Sequence, residues 1–160
     1  MIALATKPII YEAGTIGFPW NVAPPMFTLA LERHRHVLLV RYYDVFTSDD
    51  LDQSDDALRR FVNEEGPPDC IVDLSDVTAI AIPETRLAER ARLPPITQNR
   101  MRIIVAPKDR TSEVAHAFAE KQRNLGSVAP IVVRSMSHAF ERLGLSTPAF
   151  EPVQYVLDRV

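Results

Sequence analysis

The sequence predicts one α/β domain built on a mixed, mainly parallel sheet of about five strands with helices. Two patterns carry that expectation. Short apolar runs rich in β-branched residues (Ile71 to Leu74, Met101 to Ala106, Ile131 to Val133) alternate with segments whose apolar residues recur every three or four positions. Such runs are strands covered on both faces by the crossover helices that parallel pairing requires. Ahead of them, two β-rich runs flank the polar stretch Glu32-Arg33-His34-Arg35-His36, the pattern of an antiparallel hairpin. The hairpin makes the sheet mixed, and the expected order is β-β-α-β-α-β-α-β-α.

The 160 residues fit a single core. Residues 1–26 carry Pro8, Gly14, Gly17, Pro19, Pro24 and Pro25 with little periodicity, and read as an extended arm whose Phe18 and Trp20 pack on the domain or on a neighbouring subunit. The domain spans 27–147. Its hairpin pairs Phe27 to Leu31 with Val37 to Phe46, without an Asn-Gly or Gly to define the turn. Thr47 or Ser48 caps the first helix, Asp49 and Asp50 favour its positive end, and Leu51, Leu58, Phe61 and Val62 share a face. Gly66-Pro67-Pro68 stops it.

Ile71 to Leu74 is a short buried strand, and Ser75 to Thr78 reads as the loop after it. Pro83 suits a first helical position, with Leu87, Ala88 and Ala91 as the apolar face and Pro94-Pro95 as the stop. After the strand Met101 to Ala106, Val114, Ala117, Phe118 and Lys121 stand at i, i+3, i+4 and i+7, a helical stripe that ends at Gly126. Ile131 to Arg134 is the last strand. Ser135 caps a helix with Met136, Ala139, Phe140 and Leu143 on one face and Gly144 as its stop. In residues 148–160, Val153, Val156, Leu157 and Val160 form a short amphipathic segment, which docks on the chain's own core or serves as a homodimer contact.

Composition narrows the function. With a net charge of -3 the chain offers little of the clustered Lys and Arg that phosphate backbones draw on, so nucleic acid is not an expected partner. No run of about 18 apolar residues exists to span a membrane, and the first residues do not read as a signal peptide. The cytoplasm is the expected location. Cys70 is the only cysteine and follows Asp69 in an apolar run; it reads as a buried structural thiol, with neither a disulfide nor a cysteine metal site expected. No phosphate-cradling glycine loop or nucleophile elbow is present, and the chain has only 5 glycines. His34 and His36 could share a metal, but only Glu32 is near them and Arg33 and Arg35 would repel it, so they read as solvated turn residues. His116 and His138 fall on helix surfaces. No cofactor, metal or assembled catalytic set is expected, and the domain reads as a binder, not an enzyme.

Asp73 and Asp76 lie where a strand ends, which is where open α/β sheets gather ligands. A receiver-like phosphoacceptor would fit Asp73, with Asp49, Asp50 and Lys108 as further pieces, but the opening hairpin is foreign to that fold. The plainer reading is that both carboxylates shape a turn by accepting backbone N–H groups.

At Ile71-Val72-Asp73-Leu74-Ser75-Asp76-Val77-Thr78 the chain resembles the STAS family, which includes the SpoIIAA-like anti-sigma-factor antagonists. The likeness runs from about Phe27 to Leu145 and includes the hairpin and the closing Ala139-Phe140-Glu141-Arg142-Leu143-Gly144; it looks nearest to a SpoIIAA-like branch found in proteobacteria. The resemblance implies a SpoIIAA-like fold and a regulatory protein partner. In the antagonists a phosphorylated Ser follows the strand in an Asp-Ser-Ser-Gly motif. Here those positions fall on Ala81, Ile82, Pro83 and Glu84, and Thr85, just beyond, is the one hydroxyl substitute for phosphorylation. Glu84 supplies a fixed negative charge at the helix start instead. The expected partner-binding residues are Asp73, Ser75, Asp76, Glu84, Thr85 and Arg86. The alternative is a small apolar ligand or lipid held between helix and sheet.

Overall fold

The computed structural model describes residues 26–154. The expectations for Phe18, Trp20, Val156, Leu157 and Val160 lie outside the described residues. Among the described residues six strands form one sheet in the order β5-β4-β3-β2-β1-β6. β1 (Phe27–Glu32) and β2 (Val37–Thr47) make the expected antiparallel hairpin. β3 (Asp69–Ala81), β4 (Arg102–Val105) and β5 (Ile131–Val133) then add in parallel beside β2. This bears out the mixed, mainly parallel sheet. The sixth strand, β6 (Glu151–Val153), was not expected; it pairs antiparallel with β1 and takes Val153 into the sheet.

The hairpin turn uses a carboxylate where glycine is missing. Glu32 is buried and accepts a hydrogen bond from the Arg35 backbone N–H at 2.7 Å, while His36 takes φ +54°. His36 is not the solvated residue its neighbours suggest. Its ring stacks on Phe61, its Nε2 lies 3.2 Å from the Gly66 carbonyl, and it joins the hairpin to the end of the first helix.

β3 is the largest departure from expectation. Ser75 to Thr78 is strand, not loop. The core residues explain why alternation hid it. Cys70, Val72 and Leu74 follow the two-residue period on one face, but the next inward residues are Val77, then Ile80, three positions apart each time. A strand can only accommodate such steps with an extra residue, and the register with β2 slips between Arg41 and Tyr43 and again between Asp44 and Val45. These are β-bulges, each of which returns an apolar side chain to the core.

α1 (Ser48–Glu65), α2 (Glu84–Arg92) and α3 (Asp109–Asn124) belong to the face that carries Leu38, Val40, Tyr42 and Leu74; α4 (Met136–Leu143) packs on the opposite face against Val37, Leu39, Ile71 and Ile103. Ser135 and Gly144 cap α4 as expected, Gly144 in the left-handed conformation at φ +67°. Pro83 stands just before the first turn of α2, one position earlier than expected, and makes no capping bond there. In α3 the expected stripe is rotated. Thr111, Ser112, Ala115, Ala119 and Gln122 are buried, Val114 and Phe118 are half-buried, and Ala117 and Lys121 face solvent. α1 does the same: Asp50, Ser54, Ala57 and Phe61 go deepest, leaving Leu51 and Leu58 half-buried at the side. Small residues let both helices sit close to the strands, and the large apolar ones end on the flanks.

Thr47 and Asp50 form a reciprocal capping box, in which the Asp50 carboxylate accepts the Thr47 N–H at 3.0 Å and also the Met26 N–H at 3.3 Å. Thr47→Ala is expected to lower stability in urea by about 1 kcal/mol. Asp50→Ala is expected to cost more, because it also orphans Met26.

Candidate functional site

β2 and β3 outrun their neighbours. β1 pairs only as far as Tyr42 and β4 only as far as Asp73, so Tyr43 to Thr47 and Asp76 to Ala81 continue as a two-stranded parallel ribbon beyond the sheet. α2 begins directly after it. Most of the expected site residues sit at this end, in two distinct groups.

The first group is committed internally. Asp73 is 1% exposed at the root of the ribbon. Its carboxylate takes Arg41 Nε at 2.8 Å and accepts the Ser75 backbone N–H at 3.0 Å and Ser75 Oγ at 2.5 Å. The turn-shaping reading of Asp73 is therefore realised within a bulge. Burial works against the Arg41 charge, but the hydrogen bond and charge of Asp73 outweigh it and raise the guanidinium pKa. Arg86 reaches across to Asp52 of α1, with Glu89 4.0 Å away, and one turn on Arg90 holds Asp55 at 2.6 Å with both side chains largely buried. Together they lock α2 onto α1.

The second group faces solvent. Asp76, Thr78, Glu84 and Thr85 are exposed, as is Asp44 at φ +53° in the ribbon. Val45, 43% exposed, and its register partner Ala79 supply an apolar spot at the same end. Val45, Ala79 and Asp44 escaped the sequence reading because they lie in a segment whose alternation is broken by the bulges. Lys108 Nζ donates to the Val77 carbonyl at 2.9 Å on the β4 side of the ribbon, a structural role in place of a receiver-like one. Among the described residues no cluster of His, Cys, Asp and Glu could hold a metal ion, and no helix is long and apolar enough to cross a membrane. His34, His116 and His138 are exposed.

A second feature lies under the helices. A cavity of about 160 Å³ sits between the sheet and α1, α2 and α3. Val72 and Ile104 form its floor, and Leu51, Leu58, Leu87 and Phe118 stand around it. This explains why Val72 and Ile104, mid-sheet beneath helices, are only half-buried. At one wall stand Cys70, Thr97 and Arg102. Burial pushes the Cys70 thiol up to about 12, although the Thr97 hydroxyl and the Arg102 charge pull it down. The expected buried thiol is what the structure contains.

The anti-sigma factor antagonist SpoIIAA, in its unphosphorylated form, aligns with a TM-score of 0.51 at 11% identity, over 74% of this chain and 97% of SpoIIAA. The chain has the SpoIIAA fold. An uncharacterised protein from Shewanella loihica PV-4, itself described as SpoIIAA-like in fold, aligns with a TM-score of 0.48 at 10% identity, over 73% of this chain and 91% of that one. No protein-family model and no curated protein matches the sequence. The SpoIIAA-like fold accounts for the hairpin, the parallel strands and the helices on both faces.

Between pH 9.0 and about 12 the unfolded chain releases the Cys70 proton that the folded chain keeps. The unfolded state then binds fewer protons, so stability falls as pH rises through that window. Tyr42, whose pKa burial also raises, adds to the same slope. Melting temperature is expected to drop across this range, and Cys70→Ala to drop less steeply than the parent.

Proposed function

We propose that the chain is a non-catalytic regulatory interaction module that docks a protein partner on the β2–β3 ribbon and the first turn of α2. The observation that carries this reading is the exposed pair Val45 and Ala79 at the end of the sheet that also presents Asp44, Asp76 and Glu84. An apolar spot with a charged rim has the composition of a transient interface, and its carboxylates select a basic partner surface. Asp73, Ser75 and Arg86 support it from behind. Their internal bonds hold the ribbon and α2 in place, which reduces the ordering cost of docking.

SpoIIAA is an anti-sigma factor antagonist, and a regulatory partner for this chain is consistent with that relative. The family resemblance puts Ile82 and Pro83 where the antagonists carry the Ser residues of their motif, and Glu84 follows at the start of α2. Glu84 and Thr85 are exposed on the first turn of α2, where a carboxylate is favourable to the helix dipole without any modification. The surface in this reading is constitutive. The cavity favours a second reading, a sensor for a small ligand with an apolar body.

The docking face is tested by affinity purification from host extract with quantitative mass spectrometry. The parent protein is expected to retain a partner that Asp76→Lys/Glu84→Lys and Val45→Ser each lose, with melting temperature unchanged. Undiminished retention by both variants would assign binding to another surface. Arg86 is unsuitable for this purpose, because its loss also frees Asp52.

A further inference from the structure

Thr97 is 1% exposed, and its hydroxyl lies against the Cys70 thiol without a hydrogen-bond partner of normal geometry. Buried hydroxyls are ordinarily satisfied, and leaving one unpaired is costly. Arg102 is the register neighbour of Cys70 and lines the same wall. Its guanidinium donates to Gln122 Oε1 at 3.0 Å and to the Val128 carbonyl, both uncharged, and makes no ion pair among the described residues. Burial and the nearby Arg90 charge both lower its pKa. Asp55, the acidic residue of the lining, gives no relief, since it is already paired with Arg90. The wall thus carries one uncompensated positive charge and one unused hydroxyl, beside a cavity whose floor and rim are apolar.

We infer that the cavity binds a small amphipathic anion, its hydrocarbon body over Val72 and Ile104 and its carboxylate on Arg102 and the Thr97 hydroxyl. This rests on the second reading above, that the cavity is a ligand site, and names the chemistry of the ligand. A carboxylate supplies what the wall lacks, a negative charge and acceptor lone pairs for the guanidinium and the hydroxyl. Asp55 is committed to Arg90, so no acidic side chain of the wall competes for Arg102. The volume of about 160 Å³ suits a body near the size of a benzene ring, not a long acyl chain. Leu51, Leu58, Leu87 and Phe118 are half-exposed at the rim, and entry between α1, α2 and α3 passes them.

Amide NMR titrations at neutral pH with phenylacetate and its uncharged isostere phenylacetamide test the inference. Phenylacetate is expected to shift the amides of Cys70, Val72, Thr97 and Ile104 and to bind about tenfold or more tightly than phenylacetamide. Arg102→Met should erase that preference and leave phenylacetamide affinity unchanged. Thr97→Val keeps the shape of the side chain and should weaken phenylacetate several-fold; it carries the test if the Arg102 variant does not fold. Equal affinity for the two compounds, or phenylacetate binding indifferent to Thr97→Val, overturns the anion site and leaves the cavity a general apolar site. Binding of neither compound overturns the ligand reading and the inference together.

Discussion

A single constraint in β3 shapes most of this molecule. Its inward residues are Cys70, Val72 and Leu74, then Val77, then Ile80, and a strand has a period of two. Keeping all of them in the core requires one surplus residue at each three-residue step. With the bulges in place the strand stays paired with β2 to its end at Ala81, well beyond the last residue of β4. Asp73 stabilises the first of them. Its carboxylate satisfies the Ser75 N–H and hydroxyl, groups displaced from regular pairing by the bulge, and Arg41 balances its charge. Where β3 ends decides where α2 begins, and the ribbon, the acidic end and the Arg86 and Arg90 bridges to α1 all follow.

The helical face obeys a different compromise. Ser54, Ala57, Ala115 and Ala119 bring α1 and α3 close to the strands and leave the bulky side chains at the flanks. Close packing at two helices produces a gap between them. α2 partly covers the gap, and the polar groups that hold α2, Arg90 with Asp55, also line it. Tyr42, buried against Phe46 and bonded to Ser54 at 2.5 Å, closes one side. A protein interior is dense elsewhere because side chains interdigitate; here the small residues chosen for close approach prevent that locally.

Element type and order were legible because most segments agree locally with the fold. The caps at Thr47, Ser135 and Gly144, and the apolar face of α4, stand as the residues imply. Two features were hidden for physical reasons. The second half of β3 breaks alternation at the bulges and therefore resembles a loop. β6 has only three residues and contains Pro152, which argues against a strand unless an edge is available. The rotation of α3 has a similar origin: a helix face of Thr, Ser, Ala and Gln has little hydrophobicity, so Val114 and Phe118 drew the stripe to the wrong side. At the candidate site, Asp73, Asp76, Glu84 and Arg86 were visible as charges. Their division into supporting and exposed groups depends on partners such as Arg41 and Asp52, 32 and 34 residues away in sequence.

The sheet ends differently at its two margins. β5 contributes only three residues, and β6, at the other margin, has a proline in its middle and an ion pair from Glu151 to Arg33. A strand arriving from another molecule finds a very short template on one side and a missing donor on the other. Sheet growth between copies is therefore discouraged from both directions. Among the described residues, the exposed β2–β3 ribbon at one end thus belongs to a sheet whose margins give its own polymerisation little template.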